Sequence, residues 1–532
     1  MDLLIRLIIW IIKSIASEVK DAKTRRDLTA AGLDPRQVQV PANVPVAELK
    51  TQLQANVERR LSRIAEVITA GELAPGEAKA LERDLADVPG GEAMLGILSE
   101  HIMPAFEEGI PALKESHRSA SALPLQQAAL RLDHDPALQA AWKQVTLANM
   151  RLGVLSALRD SRLDPADGLR LADADAIADA LLSPLQEFAE AQDIGLPKER
   201  PIAAPARKGG EAIWMGLLPE RYPILFVPAD FLEDLYRYAS VPHELGHLMW
   251  RDVPGLSREV YEAAGFQYAR GLIGVRDNKL SGTLDQVFTP WMSEIFADMV
   301  AVLLLGPAAL RGLMYSFASP EAPAAVLTAG VQGTNYDEHP PAHLRVHFAA
   351  HLLWTMGYDQ QANAMKAEWD AQHGQPQRIF LPLAGGATAQ MSVEMWLQPG
   401  REAIDRLYMH QFNALSGFRL ADIPSFEMSP GLWARVLRRA DQLAEDSPFN
   451  DDGRVVLAAA IEARTRHPAR ALLITRGLRR AILGQDSRER RVADPHYQRP
   501  DSSAQGWAEE LRAALIFREV MERPAQRRAR RR

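Results

Sequence analysis

The pentapeptide HELGH at residues 243–247 places two imidazoles and a carboxylate at a spacing that suits metal chemistry. Residues four apart lie one above the other on an α-helix, so His243 and His247 can reach the same metal ion. The intervening Glu244 would then lie close enough to act on a water molecule at that metal. The pentapeptide therefore predicts a helical zinc site with hydrolytic chemistry.

A pair of acidic residues downstream can complete this metal site. Glu294 and Asp298 are four residues apart, so they share one face of a helix. We expect Glu294 to be the third zinc ligand and Asp298 to accept the second ring N–H of a ligating histidine. A solvated or salt-bridged acid pair is the alternative, because such pairs are common on helices. The apolar neighbours Trp291, Ile295 and Phe296 favour buried acids that need a charged partner.

Local signals predict where the two metal-binding helices begin. Thr289 is a favoured N-cap and Pro290 suits the first helical position, so the helix with the acid pair is predicted to start there. Ser240 and Pro242 predict the start of the HELGH helix in the same way.

The order of these motifs resembles the signature of the gluzincin metallopeptidases, which is His-Glu-x-x-His followed by Glu-x-x-x-Asp on a second helix. A third stretch, HPPAHLRV at residues 339–346, resembles the His-Pro-Pro…Arg segment that follows the Glu-x-x-Ala-Asp helix in the HtpX and CAAX-prenyl-endopeptidase group. The resemblance covers about residues 220–350. Members of that group carry transmembrane helices around the site, which we do not find here, so the resemblance indicates the clan and not that family. It implies a zincin-like (gluzincin) α+β catalytic core with endopeptidase activity.

The chemistry of such a site assigns a role to each residue. Zn²⁺ held by the two histidines and Glu294 would activate water and polarise the scissile carbonyl. Glu244 would act as general base and pass the proton to the leaving amine. Tyr336 and His339 are the local candidates for stabilising the oxyanion, because each offers a donor just before the Pro-Pro turn. A buried, hydrogen-bonded tyrosine and a helix-capping histidine are the alternatives for these two.

A different metal site is conceivable in the following segment, where histidine recurs every fourth residue. Such spacing also arises when a helix packs its amphipathic face under a catalytic helix, and two prolines break the geometry at the first histidine. The residues concerned are His339, His343, His347 and His351, together with Asp337 and Glu338.

The composition predicts a mainly α-helical protein with a small β-sheet. The chain has 532 residues, of which 47% are hydrophobic, enough for roughly two to four domains with real cores. Ala, Leu, Arg and Glu recur at helical spacing, and β-branched runs are few. Strands are expected at residues 212–218 and 223–227, and the edge of their sheet could hold an extended peptide.

Five segments are expected along the chain. Turn signals predict helices within the first half at residues 46–68, 77–85, 125–159 and 172–192, a linker at residues 200–210, and a loop or short hairpin at residues 382–387. The segments are an N-terminal amphipathic helix (1–25), a helical domain (26–205), a zincin-like catalytic domain (206–360), a C-terminal helical region (361–485) and a basic, disordered tail (486–532).

The N-terminal residues carry a short apolar run. Arg6 and Lys13 limit it well below the about 20 residues that span a bilayer, and no other run is expected to be long and charge-free enough to cross. We interpret residues 1–17 as an interfacial helix on a membrane surface; a docked helix and a weak signal peptide are the alternatives. This predicts a cytoplasmic protein peripheral to the membrane, in preference to a secreted or periplasmic one.

Charge and cysteine content exclude some other functions. The net charge is −7, and the absence of cysteine excludes disulfides and thiolate metal sites. Six arginines lie between residues 523 and 532, but no nucleic-acid motif accompanies them, so no specific nucleic-acid binding is expected. The sequence favours a zinc-dependent endopeptidase acting on protein or peptide substrates. The alternatives are an inactive zincin-like binding or scaffold protein, a zinc amidase for non-peptide amides, and a helical scaffold with an accidental motif.

Overall fold

The computed structural model describes residues 46–86, 88, 91–205, 212–214, 222–227, 235–276, 279–317, 335–384 and 386–483. The predictions for residues 1–25 and for the tail at 486–532 lie outside these ranges. Within the described part, residues up to Arg159 belong to one compact unit and residues from Asp160 onwards to a second. The protein is mostly helical with a small sheet, as its composition predicts.

The first unit is built from helices. The helices predicted at 46–68 and 77–85 are one continuous helix that runs through Pro75, because packing overrides the weak local signal for a break. Gly109 allows a close helix contact, since a Cβ there would lie 2.6 Å from Cγ2 of Val145. The helices are α1 (Val46–Leu85), α2 (Gly91–Ile97), a π-helical turn (Leu98–Ile102), α3 (Met103–Ser121), α4 (Leu125–His134) and α5 (Pro136–Leu163), of which the last four residues belong to the second unit.

The predicted helix at 125–159 is interrupted between α4 and α5. Asp135 has an extended backbone, and its Oδ1 accepts the backbone N–H of Ala137 at 2.9 Å. Pro136 follows at the first position of α5. Asp135 and Pro136 thus form an ordinary helix start, and the prediction of a single helix is wrong because it passed over this signal.

The second unit contains a three-stranded sheet in the order β1-β3-β2. β3 pairs in parallel with β1, which places Ile202 opposite Ile224, and antiparallel with β2. β2 and β3 confirm the two predicted strands, whereas β1 lies inside the predicted linker. Residues 202–204 are buried in the sheet, so this part of the linker prediction is wrong. The strands are β1 (Ile202–Pro205), β2 (Ala212–Trp214) and β3 (Ile224–Val227).

Helices and two hairpins complete the second unit. The hairpin β6–β7 confirms the turn predicted at residues 382–387. The elements are α6 (Pro165–Ala191), a 3₁₀ turn (Leu235–Ala239), α7 (Ser240–Asp252), α8 (Leu256–Ala264), β4 (Gly274–Arg276), β5 (Lys279–Ser281), α9 (Asp285–Leu305), α10 (Pro307–Ser316), α11 (Ala342–Thr355), α12 (Asp359–His373), β6 (Arg378–Pro382), β7 (Thr388–Ser392), α13 (Glu394–Met409), 3₁₀ turns (Asn413–Leu415, Leu420–Asp422, Pro424–Phe426), α14 (Pro430–Ala444), α15 (Gly453–Arg466), a 3₁₀ turn (Pro468–Arg470) and α16 (Ala471–Leu483).

One hydrophobic core extends through this unit from Leu171 to Leu478. It contains side chains from residues 26–205, 206–360 and 361–485, and the domain boundaries proposed between these segments stay predictions. The core surrounds α9, on which nearly every residue is buried.

Two predictions about α9 need correction. The helix begins at Asp285, and Thr289 and Pro290 lie inside it. The Thr289 hydroxyl is instead bonded to the loop before the helix, accepting from the N–H of Ala269 at 3.0 Å. In addition, α9 is long and apolar enough to cross a membrane by length and composition, contrary to our expectation, and 89% of that apolar window is buried inside the protein. The core helix of a globular protein passes the same test.

Candidate metal centre

The two helices that carry the predicted metal ligands, α7 and α9, approach each other at Gly246. A Cβ at Gly246 would lie 2.5 Å from Cα of Ala297 and 3.1 Å from its Cβ. Only glycine permits this approach, because any larger residue would push the helices apart. Gly246 and Ala297, the fourth residue of each five-residue motif, therefore set how closely the two ligand-bearing helices approach.

Three side-chain donors converge between these helices. The Nε2 atoms of His243 and His247 are 3.1 Å apart. His247 Nε2 lies 3.0 Å from Glu294 Oε1, and His243 Nε2 lies 3.5 Å from Glu294 Oε2. Tetrahedral zinc ligands, with bonds near 2.0–2.1 Å, stand about 3.3 Å from one another. The three side chains therefore could hold a metal ion, as their sequence spacing predicts.

The protonation pattern of the donors also suits a cation. His243 Nδ1 lies 2.9 Å from Asp298 Oδ1 and can donate its proton there. The neutral ring then presents the lone pair of Nε2 to His247 and Glu294, which a cation between the three would satisfy. The side chain of His247 is 23% exposed, whereas that of Glu294 is 6% exposed, so access to the centre is from the His247 side.

Arg345, on α11, closes the site from behind. Its Nε donates to Asp298 Oδ2 at 2.8 Å and its Nη2 donates to Asp298 Oδ1 at 2.7 Å. Its Nη1 lies 3.2 Å from Glu294 Oε2. In the sequence, Arg345 is recognisable only as the arginine of the HPP…R segment, and no role was predicted for it. The usable signal was a charged residue among apolar residues on a helix, which needs a buried partner of opposite charge.

The electrostatics of the centre follow from this burial and pairing. Burial works to lower the pKa of His243, but hydrogen bonds to Asp298 and Glu294 raise that pKa to about 10. Burial works to raise the pKa of Glu294, but the two histidines and Arg345 hold it well below its usual value. The pKa of Asp298 is lowered against the same effect of burial, chiefly by the charge of Arg345 and its hydrogen bond.

The centre thus holds more carboxylate than guanidinium. Glu294 and Asp298 face the single charge of Arg345, and the charge of the buried Glu244 also acts on that guanidinium. A proton on His243 offsets one of these surplus negative charges when no other cation is present. A divalent metal would release that proton, which is the usual coupling between metal binding and deprotonation of its ligands.

The two residues predicted to stabilise the oxyanion, His339 and Tyr336, lie in different surroundings. His339 Nδ1 is 2.8 Å from Asp337 Oδ1, and its Nε2 is 3.8 Å from Glu294 Oε1, with the side chain 58% exposed. It therefore lies at the rim of the centre. The Tyr336 hydroxyl donates to the carbonyl of Pro382 at 2.9 Å and accepts the N–H of Ile273 at 3.2 Å. Both hydrogen bonds engage backbone groups, so this hydroxyl ties the segment before α11 to β6.

The four regularly spaced histidines do not share one metal site. His339 faces Asp337, and His351 Nε2 contacts Asp405 Oδ1 at 2.8 Å. His343 and His347 instead approach Asp370, on α12. The alternative of a single site with Asp337 and Glu338 is therefore wrong, because the chain before α11 is extended at Pro341 and the histidines point to different neighbours. Asp370 could not be anticipated, since it lies on a separate helix.

Comparison of the chain with protein-family models, with curated proteins and with solved structures found no match.

Proposed function

We propose that the protein is a zinc-dependent endopeptidase with a zincin-like, gluzincin-type core. The observation that carries this proposal is the convergence of the donor atoms of His243, His247 and Glu294, with Glu244 on the same helix as the two histidines. The sequence order of the ligands and the carboxylate behind His243 agree with the gluzincin resemblance. The two imidazoles and one carboxylate form the ligand set typical of catalytic zinc.

When bound, zinc would supply a Lewis acid that acidifies a water molecule and polarises the scissile carbonyl. The protein's own groups prepare the ligands. Asp298 fixes the Nδ1 proton of His243, so that Nε2 stays free for the metal. Arg345 orients that carboxylate with two hydrogen bonds and neutralises part of its charge.

Glu244 supplies the acid–base chemistry in this proposal. Its carboxylate takes a proton from the attacking water as the new C–O bond forms. It then gives that proton to the leaving amine nitrogen as the peptide C–N bond breaks. Glu244 is buried on the helix that carries His243 and His247, which keeps its carboxylate away from bulk solvent.

In this proposal His339 stabilises the oxyanion, and Tyr336 has no catalytic role. The imidazole of His339 lies at the rim with its Nε2 3.8 Å from Glu294 Oε1 and its Nδ1 on Asp337. In its imidazolium form, Nδ1–H donates to Asp337 and Nε2–H can donate to a carbonyl oxygen bound at the centre. Tyr336 has no free donor, because its proton is given to Pro382.

The small sheet gives the site a means of holding peptide backbone. β2 lies at one edge of the sheet and packs beside α7. An edge strand has backbone N–H and C=O groups that can pair with an extended chain. This arrangement favours peptide over other amides as substrate.

Zinc content and peptidase activity, measured on Glu244→Gln, test this proposal. The variant should keep one zinc at this centre and lose roughly 100- to 10,000-fold in kcat, since the general base is absent. The matched control is Glu262→Gln, which changes a solvent-exposed glutamate of α8 and should behave as wild type. Near wild-type turnover by Glu244→Gln would overturn the proposal. Hydrolysis of small amides but not of peptides would indicate the amidase alternative.

A further inference from the structure

Three buried side chains meet between α11 and α12, away from the centre on α7 and α9. His347 Nε2 lies 3.0 Å from Asp370 Oδ1, and His343 Nδ1 lies 4.0 Å from the same oxygen. The side chains of these three residues are between 3% and 7% exposed. All three ligand atoms lie within 4.8 Å of one another.

The hydrogen bonding of this cluster is incomplete. Nδ1 of His343 is buried and has no hydrogen-bond partner in the part of the chain that the structure describes. Its 4.0 Å separation from Asp370 Oδ1 is too long for a hydrogen bond. A buried polar atom without a hydrogen-bond partner destabilises the folded protein. The distances from Asp370 Oδ1 to His347 Nε2 and to His343 Nδ1 are 3.0 Å and 4.0 Å. The separation of about 3.3 Å between two ligand atoms of one zinc ion lies between these values.

Among the described residues, no lysine or arginine forms an ion pair with the buried carboxylate of Asp370, although the charges of Lys366 and Arg401 lie close enough to lower the pKa of His347. The ion-pair partners of this carboxylate in that part of the chain are the two histidines. Its second oxygen accepts a hydrogen bond from the amide of Gln375 at 3.1 Å, which orients the carboxylate. A cation between the three side chains would pair directly with the carboxylate and would bind the unpaired nitrogen of His343.

We propose that His343, His347 and Asp370 form a second, structural metal site that binds zinc or a similar divalent transition metal. Two imidazoles and a carboxylate favour zinc, cobalt or nickel over calcium and magnesium, which take oxygen ligands. The low exposure of all three side chains assigns a structural role, because a catalytic site needs an open position for substrate. The metal would join α11 to α12.

Metal counting on the full-length protein tests this second site. After dialysis against metal-free buffer with one added equivalent of zinc per site, wild type should hold two zinc ions per chain. Asp370→Asn, which preserves the shape of the side chain, should hold one. The control is His351→Gln, which changes a histidine of the same helix that bonds to Asp405 and should leave two. One zinc in wild type, with the same count in Asp370→Asn, would overturn the second site.

Cobalt binding separates this site from the proposed catalytic one. The double variant His243→Gln/His247→Gln leaves the α11–α12 cluster unchanged, so loss of folding at that cluster cannot explain a negative result. This protein should bind one Co²⁺ with visible d–d absorption, and further replacement Asp370→Asn should remove it. Absence of cobalt binding in the double variant contradicts the second site. One zinc in wild type that is lost in Asp370→Asn but kept in the double variant would leave the second site standing and reject the first.

Discussion

Arg345 holds Asp298 through a two-point contact, with Nε 2.8 Å from Oδ2 and Nη2 2.7 Å from Oδ1. Because Oδ1 is also 2.9 Å from His243 Nδ1, the guanidinium orients the imidazole through the carboxylate. A planar donor pair suits this task better than the single ammonium of lysine. Arg345 is therefore a positioning residue of the candidate centre.

Replacement of Arg345 by lysine should weaken metal binding without emptying the site. Loss of one of the two hydrogen bonds lets Asp298 turn, and we expect about 10- to 100-fold weaker zinc binding, as is usual when support behind a ligand is removed. Competition with a chelator of known affinity measures this change. Arg311→Lys is the control, because Arg311 also pairs with a carboxylate, that of Glu368, on other helices. Equal zinc affinity in Arg345→Lys and wild type would argue against a positioning role.

Gly246→Ala should both destabilise the protein and disturb the metal centre. The added Cβ would lie 2.5 Å from Cα of Ala297, so α7 and α9 must separate. We expect a loss of about 1–3 kcal/mol in the free energy of unfolding, the usual cost of overpacking, with weaker zinc binding. Urea unfolding of the metal-free protein measures the first effect. Gly431→Ala, in α14, is the control, since the nearest atom to its added Cβ is 3.9 Å away. A Gly246→Ala protein as stable as this control would show that the helices can separate freely.

Glu259 should make the stability of the second unit depend on acid. Burial works to raise its pKa, but N–H groups of Ala414 and Asn413 and the ring of His410 lower it below 4.5. The folded pKa is thus lower than the unfolded pKa, so the contribution is complete above the unfolded value and is lost as pH falls through the folded value. Glu259→Gln should lower the free energy of unfolding by about 1–2 kcal/mol at pH 7.

The pH dependence of that difference is the sharper test. The difference in free energy of unfolding between Glu259→Gln and wild type should become smaller below about pH 4.5, because the wild-type carboxylate becomes protonated. Denaturant unfolding at pH 7 and pH 4 measures both differences, with Glu262→Gln as the control on the same helix. A difference that stays constant with pH would mean that the charge of Glu259 contributes nothing.

Residues 1–17 should bring the protein to anionic membranes without crossing them. Arg6 and Lys13 interrupt the apolar run and suit anionic headgroups. The full chain should sediment with vesicles of anionic phospholipid at low salt and be released by high salt, and a chain lacking residues 1–17 should stay in solution with its zinc content unchanged. Retention on vesicles in alkaline carbonate would instead indicate insertion.

The parts of the candidate centre that could be predicted are those set by local periodicity. His243 and His247 are one helical turn apart, as are Glu294 and Asp298, so spacing alone showed that each pair shares a face. The meeting of the two pairs followed from the order of motifs in the resembling family. Their close approach depends on Gly246, whose role is visible only when both helices are in place.

The parts that could not be predicted depend on contacts between distant segments. The partner of His343 and His347 is Asp370, 23 residues beyond His347 and on another helix, and periodicity carries no information about such pairs. The start of α9 was misplaced because Thr289 and Pro290 form a strong local signal that the buried helix overrides. β1 was missed since its short, proline-flanked segment has the composition of a linker.

Helix α11 contributes side chains to two polar clusters, because residues two positions apart on a helix lie on nearly opposite sides of it. Arg345 is two residues from both His343 and His347, which places it about 200° around the helix from each of them. One face engages Asp298 and the other approaches Asp370. Any rotation of α11 about its axis would move both sets of side chains together. A substitution on one face of α11 that turns the helix would therefore displace the polar groups on its other face as well.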